Sequence, residues 1–201
     1  LAYISGRGGD ITQGSDDRRQ RTVTDEGRAE LQRASLRQRG KIDFRTGDGL
    51  SILEPAEVDA VVIAGMGGKL IRDIMSGDME LTRSFGKFVL QPRIRQGELR
   101  KWLLENDFAI IHEDLAEEGD HISEIITAVP RRDGDDSRSG NGLCITEETV
   151  ESAYGGDKAA VFYDVPPWIM SSTGPVEDFI ERNLETEKKK LENVMLSRER
   201  N

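Results

Sequence analysis

The chain of 201 residues has the length of one domain with an appendage, since a domain usually holds about 100–200 residues. Apolar residues make up 36% and charged residues 33%, and no apolar run approaches the roughly 18 residues of a membrane-spanning helix, so we expect no membrane span. The net charge of −10 excludes attraction of the whole surface to nucleic acid or membrane. Because the first 50 residues carry ten basic and eight acidic side chains, a local basic patch stays possible.

The spacing of apolar residues predicts strands that alternate with helices, followed by a pair of strands. The predicted elements are a loop over 5–20, a helix over 25–39, strands over Ile42–Arg45 and Val58–Ala64, a helix from Leu70, a strand over Phe88–Gln91 and a helix from Gln96 to about Asn106. The run VDAVVIA at 58–64 is typical of a parallel strand that is buried on both faces. Residues 108–115 and 122–129, separated by EEGD, predict an antiparallel hairpin. The predicted fold class is α/β, a doubly wound sheet with an antiparallel edge.

Composition divides the chain into three predicted parts. Residues 1–130 carry the α/β pattern, residues 131–158 are rich in Gly, Ser and Asp and predict a flexible insert or linker, and residues 159–201 predict a C-terminal helical extension. The last helix is predicted over 176–195, with apolar residues at steps of four and three that Glu187 interrupts: Val176, Ile180, Leu184, Leu191 and Val194. This spacing fits a short coiled coil or an amphipathic helix docked on the domain, and both alternatives stay open.

The cysteine and histidine residues indicate neither a disulfide nor a metal site. The single cysteine, Cys144, excludes an internal disulfide and favours a reducing, cytoplasmic setting. Together with His112 and His121 it shows none of the short spacings that bind zinc. We therefore expect no metal cofactor.

The sharpest motif is the glycine segment IAGMGGKL at 63–70, which lies between a predicted strand and a predicted helix. Ligands of such sheets bind beyond the carboxyl ends of the parallel strands, and glycine lets the backbone approach them closely. The segment is not a P-loop, because Ile63 stands in place of the first glycine and Leu70 has no hydroxyl for magnesium. It is not a dinucleotide fingerprint either, because Leu70 replaces the third glycine. The remaining alternatives are a ligand-binding turn of another kind and a tight turn without a ligand.

Two more segments follow strands at the same predicted edge. Asp48 lies between two glycines and is placed either to accept a hydrogen bond from the amine of a nucleoside-like ligand or to cap a short helix. Gln91, Pro92 and Arg93 end the next strand, where they either face the crevice or form a plain turn.

Two long segments resemble the bacterial tRNA adenine-N1 methyltransferases, which use S-adenosylmethionine (SAM) to methylate adenine 22 of tRNA. They are GDGLSILEPAEVDAVVIAGMGGKLIRDIM and FVLQPRIRQGELRKWLLENDFAIIHEDLAEEGDHISEI, and the resemblance runs from about Gly47 to Val129. It implies a Rossmann-like, SAM-dependent methyltransferase sheet with a C-terminal helical extension. The implied partner is tRNA, the implied cofactor is SAM and the implied location is the cytoplasm, while the oligomeric state is left open.

The resemblance also implies which residues form the site. The residues that would bind SAM are Asp48, Gly49, Ala64, Gly65 and Met66. The residues that would lie near the target base are Gly67, Gly68, Gln91 and Pro92. The candidates for contacts with tRNA phosphates are Arg93, Arg95, Arg100 and Lys101, with Lys188–Lys190 on the last helix. The alternative is that these basic side chains are only solvated and contact no RNA.

The sequence also departs from the family pattern. The family's first strand, its SAM-binding glycine loop and its acidic catalytic residue would all lie before Leu1. The catalytic residue is therefore not identified, and we expect SAM binding to be weak or absent. The acidic residue that holds the SAM ribose would align near Val23, with Asp25 the nearest substitute. Where the family often has an asparagine after the LQP segment, this chain has Arg93, and where the family has a tyrosine, it has Ser123. We expect methyl transfer to N1 of a tRNA adenine; the alternatives are an inactive, truncated homologue that keeps an RNA- or protein-binding surface, and a methyltransferase-like fold with another substrate.

Overall fold

The computed structural model describes residues 2–5, 13–14, 45–131, 145–154 and 159–199. The helix predicted over 25–39 and most of the strand predicted over Ile42–Arg45 lie outside these ranges. The described strands are β1 (Ala2–Ser5), β2 (Gln13–Gly14), β3 (Thr46–Gly47), β4 (Ala60–Met66), β5 (Lys87–Pro92), β6 (Phe108–Glu118) and β7 (His121–Pro130). The described helices are α1 (Gly68–Ser76), α2 (Met79–Ser84), α3 (Gln96–Glu105), α4 (Glu147–Tyr154), α5 (Ala159–Asp164), a 3-10 turn (Pro167–Ser171) and α6 (Val176–Glu199).

Five of the strands form one mixed sheet in the order β1-β4-β5-β7-β6, and β2 and β3 form a separate short parallel pair. Strands β4 and β5 are parallel, whereas β7 runs antiparallel to both β5 and β6. The prediction of an α/β sheet with an antiparallel edge hairpin and a C-terminal helix is confirmed. Strand β1 runs antiparallel to β4.

The predicted loop over 5–20 is corrected where the structure describes it. Ser5 ends β1, and Gln13–Gly14 forms β2. Strands of two to four residues are too short to show the alternation of apolar and polar residues that marks a strand in a sequence.

The core lies between the sheet and helices α1 and α3. Its fully buried side chains include Val61 and Ile63 of β4 and, from other elements, Ile71, Met75, Phe88, Leu90, Leu99, Leu103 and Phe108. Burial alternates along β4, so that Val62 is only half-buried. The prediction that this strand is buried on both faces is therefore wrong for the face that carries Val62.

Part of the predicted insert packs against the sheet. Ile145 exchanges both backbone hydrogen bonds with Ile110 of β6, at 3.0 and 2.9 Å, and is 1% exposed. Helix α4 follows directly and buries Val150. The prediction that residues 131–158 form a separate insert stays a prediction. Within that segment, however, Ile145 and Val150 belong to the buried core.

The C-terminal helix α6 docks on the hairpin by its first turns only. Phe179 is buried and packs with Leu115 and Ile169. One turn further, Arg182 Nη1 donates to the backbone oxygen of Asp120 in the hairpin turn, at 2.7 Å. The later apolar residues of the predicted seam are exposed: Leu184, Leu191 and Val194. Among the described helices, α6 included, none is long and apolar enough to cross a membrane.

Candidate functional site

A bulge at Gly65 shapes the carboxyl edge of the parallel strands. Ala64 pairs with Gln91 and Met66 pairs with Pro92, so Gly65 is an extra residue on β4. Its φ of +78° lies in the left-handed region that glycine adopts without strain. Among the described residues, the nearest atom to a Cβ built at this position is Arg93 Nε, at 3.9 Å. Glycine is therefore required here for its backbone angle, and the described part of the chain leaves room beside the turn.

The side chain of Gln91 completes the bulge. A bulged residue leaves the ladder of backbone hydrogen bonds, and here the Gly65 N–H donates to Gln91 Oε1 at 2.7 Å. The other end of the same amide, Nε2, donates to Ser123 Oγ on β7 at 2.8 Å. One side chain thus connects β4, β5 and β7 at this edge, while the neighbouring Pro92 is buried.

The segment 93–95 contacts the turn that follows Gly65. The Arg93 N–H donates to the Met66 oxygen at 2.8 Å, and the Gly68 N–H donates to the Ile94 oxygen at 2.8 Å. A Cβ on Gly68 would lie 2.5 Å from the Arg95 backbone oxygen, so only glycine permits this approach. The structure thereby brings the predicted base-binding glycines next to two of the predicted phosphate contacts.

Two cationic side chains lie on the rim of this turn. Arg93 and Arg95 are exposed, and between them Ile94 is 61% exposed. Arg95 has a φ of +61°, a costly conformation for a residue other than glycine, and it precedes α3. Its Nη1 lies 2.9 Å from Glu98 Oε1, a surface ion pair that offsets part of its charge.

The segment of Asp48 and Gly49 packs against α1. Gly49 has a φ of +54°, and a Cβ built on it would lie 3.2 Å from Ile74 Cγ2. The residues after Asp48 form a turn, in which the Ser51 N–H donates to the Asp48 backbone oxygen at 3.1 Å. These residues do not form the short helix that Asp48 was predicted to cap as an alternative to binding a ligand. The side chain of Asp48 is exposed.

The prediction that Arg100 contacts a phosphate is wrong. Arg100 has 0% of its surface exposed, and its Nε donates to Glu113 Oε1 at 2.7 Å. Its Nη2 donates to Glu124 Oε2 at 2.5 Å and its Nη1 to the Tyr163 oxygen at 2.8 Å. A guanidinium held inside the protein by two carboxylates cannot reach a bound RNA. Its neighbour Lys101 is exposed on α3, 3.7 Å from Glu105.

Burial dominates the electrostatics of this cluster. It raises the pKa of Glu113 above the usual value of a glutamate, and the Arg100 charge opposes the shift. Sequence reasoning missed the cluster, although a signal exists. Glu113 and Glu124 occupy positions of the hairpin strands where apolar residues alternate, as in Ile122, Glu124 and Ile126.

The remaining predicted contacts lie elsewhere. Lys188–Lys190 fall on the exposed part of α6, where Lys190 forms an ion pair with Glu187 at 2.6 Å. Among the described residues, no group of three or more histidine, cysteine, aspartate or glutamate side chains is placed to hold a metal ion.

Known proteins match this arrangement. The family described as methyltransferase domain matches residues 17–126, more than half of the chain. A curated relative, the tRNA (adenine(22)-N(1))-methyltransferase of Bacillus subtilis (strain 168), is 29% identical over 150 residues, 74% of this chain and 62% of that protein. The chain therefore spans about three-fifths of the length of this relative.

Solved structures share the fold. The B. subtilis M1A22 tRNA methyltransferase TrmK superposes with a TM-score of 0.65 at 23% identity, over 94% of this chain and 70% of that one. A Streptococcus pneumoniae protein in complex with S-adenosyl-L-methionine gives 0.61 at 22% identity, over 92% of this chain and 72% of that one. With the parallel β4–β5 pair, the glycine turn at its carboxyl edge and the antiparallel hairpin, the chain belongs to the methyltransferase domain family.

Proposed function

We propose that this chain is the methyltransferase part of a SAM-dependent enzyme that methylates N1 of adenine 22 in tRNA. The named activity of the B. subtilis relative and the motifs that resemble its family support the substrate. The observation that carries the proposal is the exposed Gly65 bulge at the carboxyl edge of β4, in a chain of the methyltransferase domain family. This edge is where sheets of this kind bind their ligands.

The residues at this edge fit SAM as the cofactor. Gly65 is exposed, and its two neighbours Ala64 and Met66 are half-buried, so we assign a contact with SAM to the backbone of these three residues. Asp48 is exposed, and we assign its carboxylate to the exocyclic amine of the cofactor adenine, with Gly49 beside it. The S. pneumoniae protein of the same fold was solved with this cofactor bound.

The proposed reaction needs positioning more than proton transfer. Bound SAM supplies an electrophilic methyl group. The N1 lone pair of adenine is already a nucleophile, so no strong base has to act first. The target base would leave its stack, at a cost of a few kcal/mol, and lie against the glycine turn at Gly67, behind which Gly68 and Pro92 are buried. The chain's contribution is to fix this geometry, because an oriented pair reacts far faster than a free one.

Binding of tRNA would rest on a local patch. The net charge of −10 repels RNA over most of the surface, so the exposed Arg93 and Arg95 next to the glycine turn are the best candidates for phosphate contacts. Lys101 and Lys188–Lys190 are further candidates because they too are exposed. Such binding weakens steeply with salt, since each contact competes with counterions. A tRNA substrate would also support a location in the cytoplasm.

Transfer of a labelled methyl group tests the proposal. The chain is incubated with SAM carrying a radioactive methyl group and with unmodified tRNA, and label in the RNA is counted. We expect incorporation by the natural chain and at least a tenfold loss for Arg93→Glu, whereas Lys87→Glu, at the opposite end of β5, should change little. No incorporation by the natural chain at any SAM concentration would contradict the proposed activity and favour the inactive alternative.

A further inference from the structure

Ser123 of β7 is connected to the glycine bulge by two hydrogen bonds that pass through the side chain of Gln91. Gln91 accepts from the Gly65 N–H through Oε1 at 2.7 Å and donates through Nε2 to Ser123 Oγ at 2.8 Å. The two ends of the amide are chemically different, since Oε1 only accepts and Nε2 only donates. The Gly65 N–H can only donate, so it selects Oε1 and leaves Nε2 to donate to the Ser123 hydroxyl.

We propose that Ser123 is a positioning residue that anchors the Gln91 amide in place and, through it, supports the conformation of the Gly65 bulge. The functional consequence rests on the proposed function, in which this bulge lines the cofactor. The hydroxyl oxygen of Ser123 gives Nε2 an acceptor on β7. The Gly65 N–H sets which end of the amide faces it, because a flipped amide would place two donors face to face, and the bond to Ser123 holds the amide in that position.

The position of the three groups makes the effect local. Gly65 is exposed and has left the β4–β5 ladder, so β5 does not hold its N–H in place. Gln91 and Ser123 are half-buried, which limits how well water can replace a lost partner. Ser123 sits in β7 opposite Ala116 of β6, so its own backbone is held by the hairpin ladder. The hairpin is thus the rigid support, and the glycine turn is the part that depends on it.

Removal of the hydroxyl should loosen the turn without loosening the sheet. In Ser123→Ala the amide loses its acceptor and rotates, and the Gly65 N–H spends more time without a partner. We expect solvent exchange of the Gly65 amide proton, followed by NMR, to become roughly threefold to tenfold faster, as for loss of one ordinary hydrogen bond. Ser123→Thr keeps the hydroxyl and should return the Gly65 rate to within about twofold of the natural chain.

The controls separate positioning from general destabilisation. Ser172→Ala removes a serine hydroxyl that binds the hairpin at the Leu115 N–H, 3.0 Å away, and should leave the Gly65 rate unchanged. The amide of Leu90, in the middle of β5, should keep its protection in Ser123→Ala. An unchanged Gly65 rate in Ser123→Ala would overturn the proposal, and so would an equal increase at Gly65 and Leu90.

Methyl transfer provides a second readout. If the turn holds the cofactor, Ser123→Ala should raise the KM for SAM severalfold while the KM for tRNA stays the same, and Ser123→Thr should restore it. A natural chain without activity would defeat the proposed function alone, because the exchange rates still decide the role of Ser123. Active Ser123→Ala enzyme with faster Gly65 exchange and an unchanged KM for SAM would overturn the link from the turn to the cofactor.

Discussion

Replacement of Arg100 by methionine should be among the most damaging single changes in the chain. The guanidinium is fully buried and is the shared partner of Glu113 and Glu124, which are 1% and 8% exposed. Methionine fills much of the same volume but carries no charge and no donor. Two carboxylates would then stay inside the protein without their cation.

The size of the effect follows from the charge left behind. Removing one partner of a buried ion pair costs about 3–5 kcal/mol of unfolding free energy, because the other partner keeps its desolvation penalty. Within the described residues, Glu113 Oε2 already lacks a hydrogen-bond partner, so loss of Arg100 would leave this carboxylate with even fewer donors. For a chain of this length the loss corresponds to a fall in Tm of roughly 6–20 °C.

Thermal and urea unfolding of Arg100→Met and Lys101→Met measure the difference. Lys101 is the next residue of α3, but it is 58% exposed and lies 3.7 Å from Glu105, so its loss should cost no more than about 0.5 kcal/mol. A cost for Arg100→Met as small as that for Lys101→Met would refute the account of the buried cluster.

The pH dependence provides an independent check on the same variant. Loss of Arg100 removes the charge that opposes the raised pKa of Glu113, so this pKa rises further. When the pKa of a carboxyl is higher in the folded than in the unfolded protein, the folded protein keeps its proton over a wider pH range. The resulting stability is fully present below the pKa of the unfolded state and is lost as the pH rises through the pKa of the folded state. The deficit of Arg100→Met should therefore be smaller at pH 5 than at pH 8; a deficit that grows toward pH 5 contradicts this sign.

Three further predictions concern single positions. Gly65→Val should lower stability by at least about 1–2 kcal/mol because of the positive φ, and Gly65→Asn should cost less; equal melting curves for both would contradict the strain argument. The pKa of Glu148 is lowered to about 2, mainly by a hydrogen bond with Thr146, so its contribution is present above pH 4.5 and is lost as the pH falls toward 2. Thermal melts between pH 4.5 and pH 2 should thus show a smaller loss of stability for Glu148→Gln than for the natural chain. An identical loss in the two proteins would contradict this prediction. Phe179→Ala should cost about 3–5 kcal/mol and Leu191→Ala less than about 0.5, since Phe179 is 6% exposed and Leu191 is 61% exposed; similar urea midpoints for the two would argue against partial docking of α6.

The elements around the site could be predicted from the sequence because their signals are local. A β-branched run marks β4, glycines mark the turn, and apolar spacing marks the helices after both parallel strands. The structure moves the bounds of these elements by a few residues, as in Ala60–Met66 for the strand predicted over Val58–Ala64. The hairpin also follows from alternation, and only its length was underestimated.

The rest depends on contacts between segments that are distant in sequence. Arg100 sits in a polar helix segment and resembles a surface residue, and only the neighbouring strands show that Glu113 and Glu124 surround it. The bond from Gln91 to Ser123 joins residues 32 apart, and no spacing rule connects them. The bulge at Gly65 depends on the register between β4 and β5, which the sequence of one strand does not contain.

Nucleoside mass spectrometry on a defined tRNA tests the central claim most directly. The chain is incubated with SAM and with two transcripts that differ only at position 22, one carrying adenine and one carrying guanine. The account predicts N1-methyladenosine in the adenine transcript, mapped to position 22 after nuclease digestion, and none in the guanine transcript. Equal N1-methyladenosine in both transcripts, or none in either at saturating SAM, would contradict it.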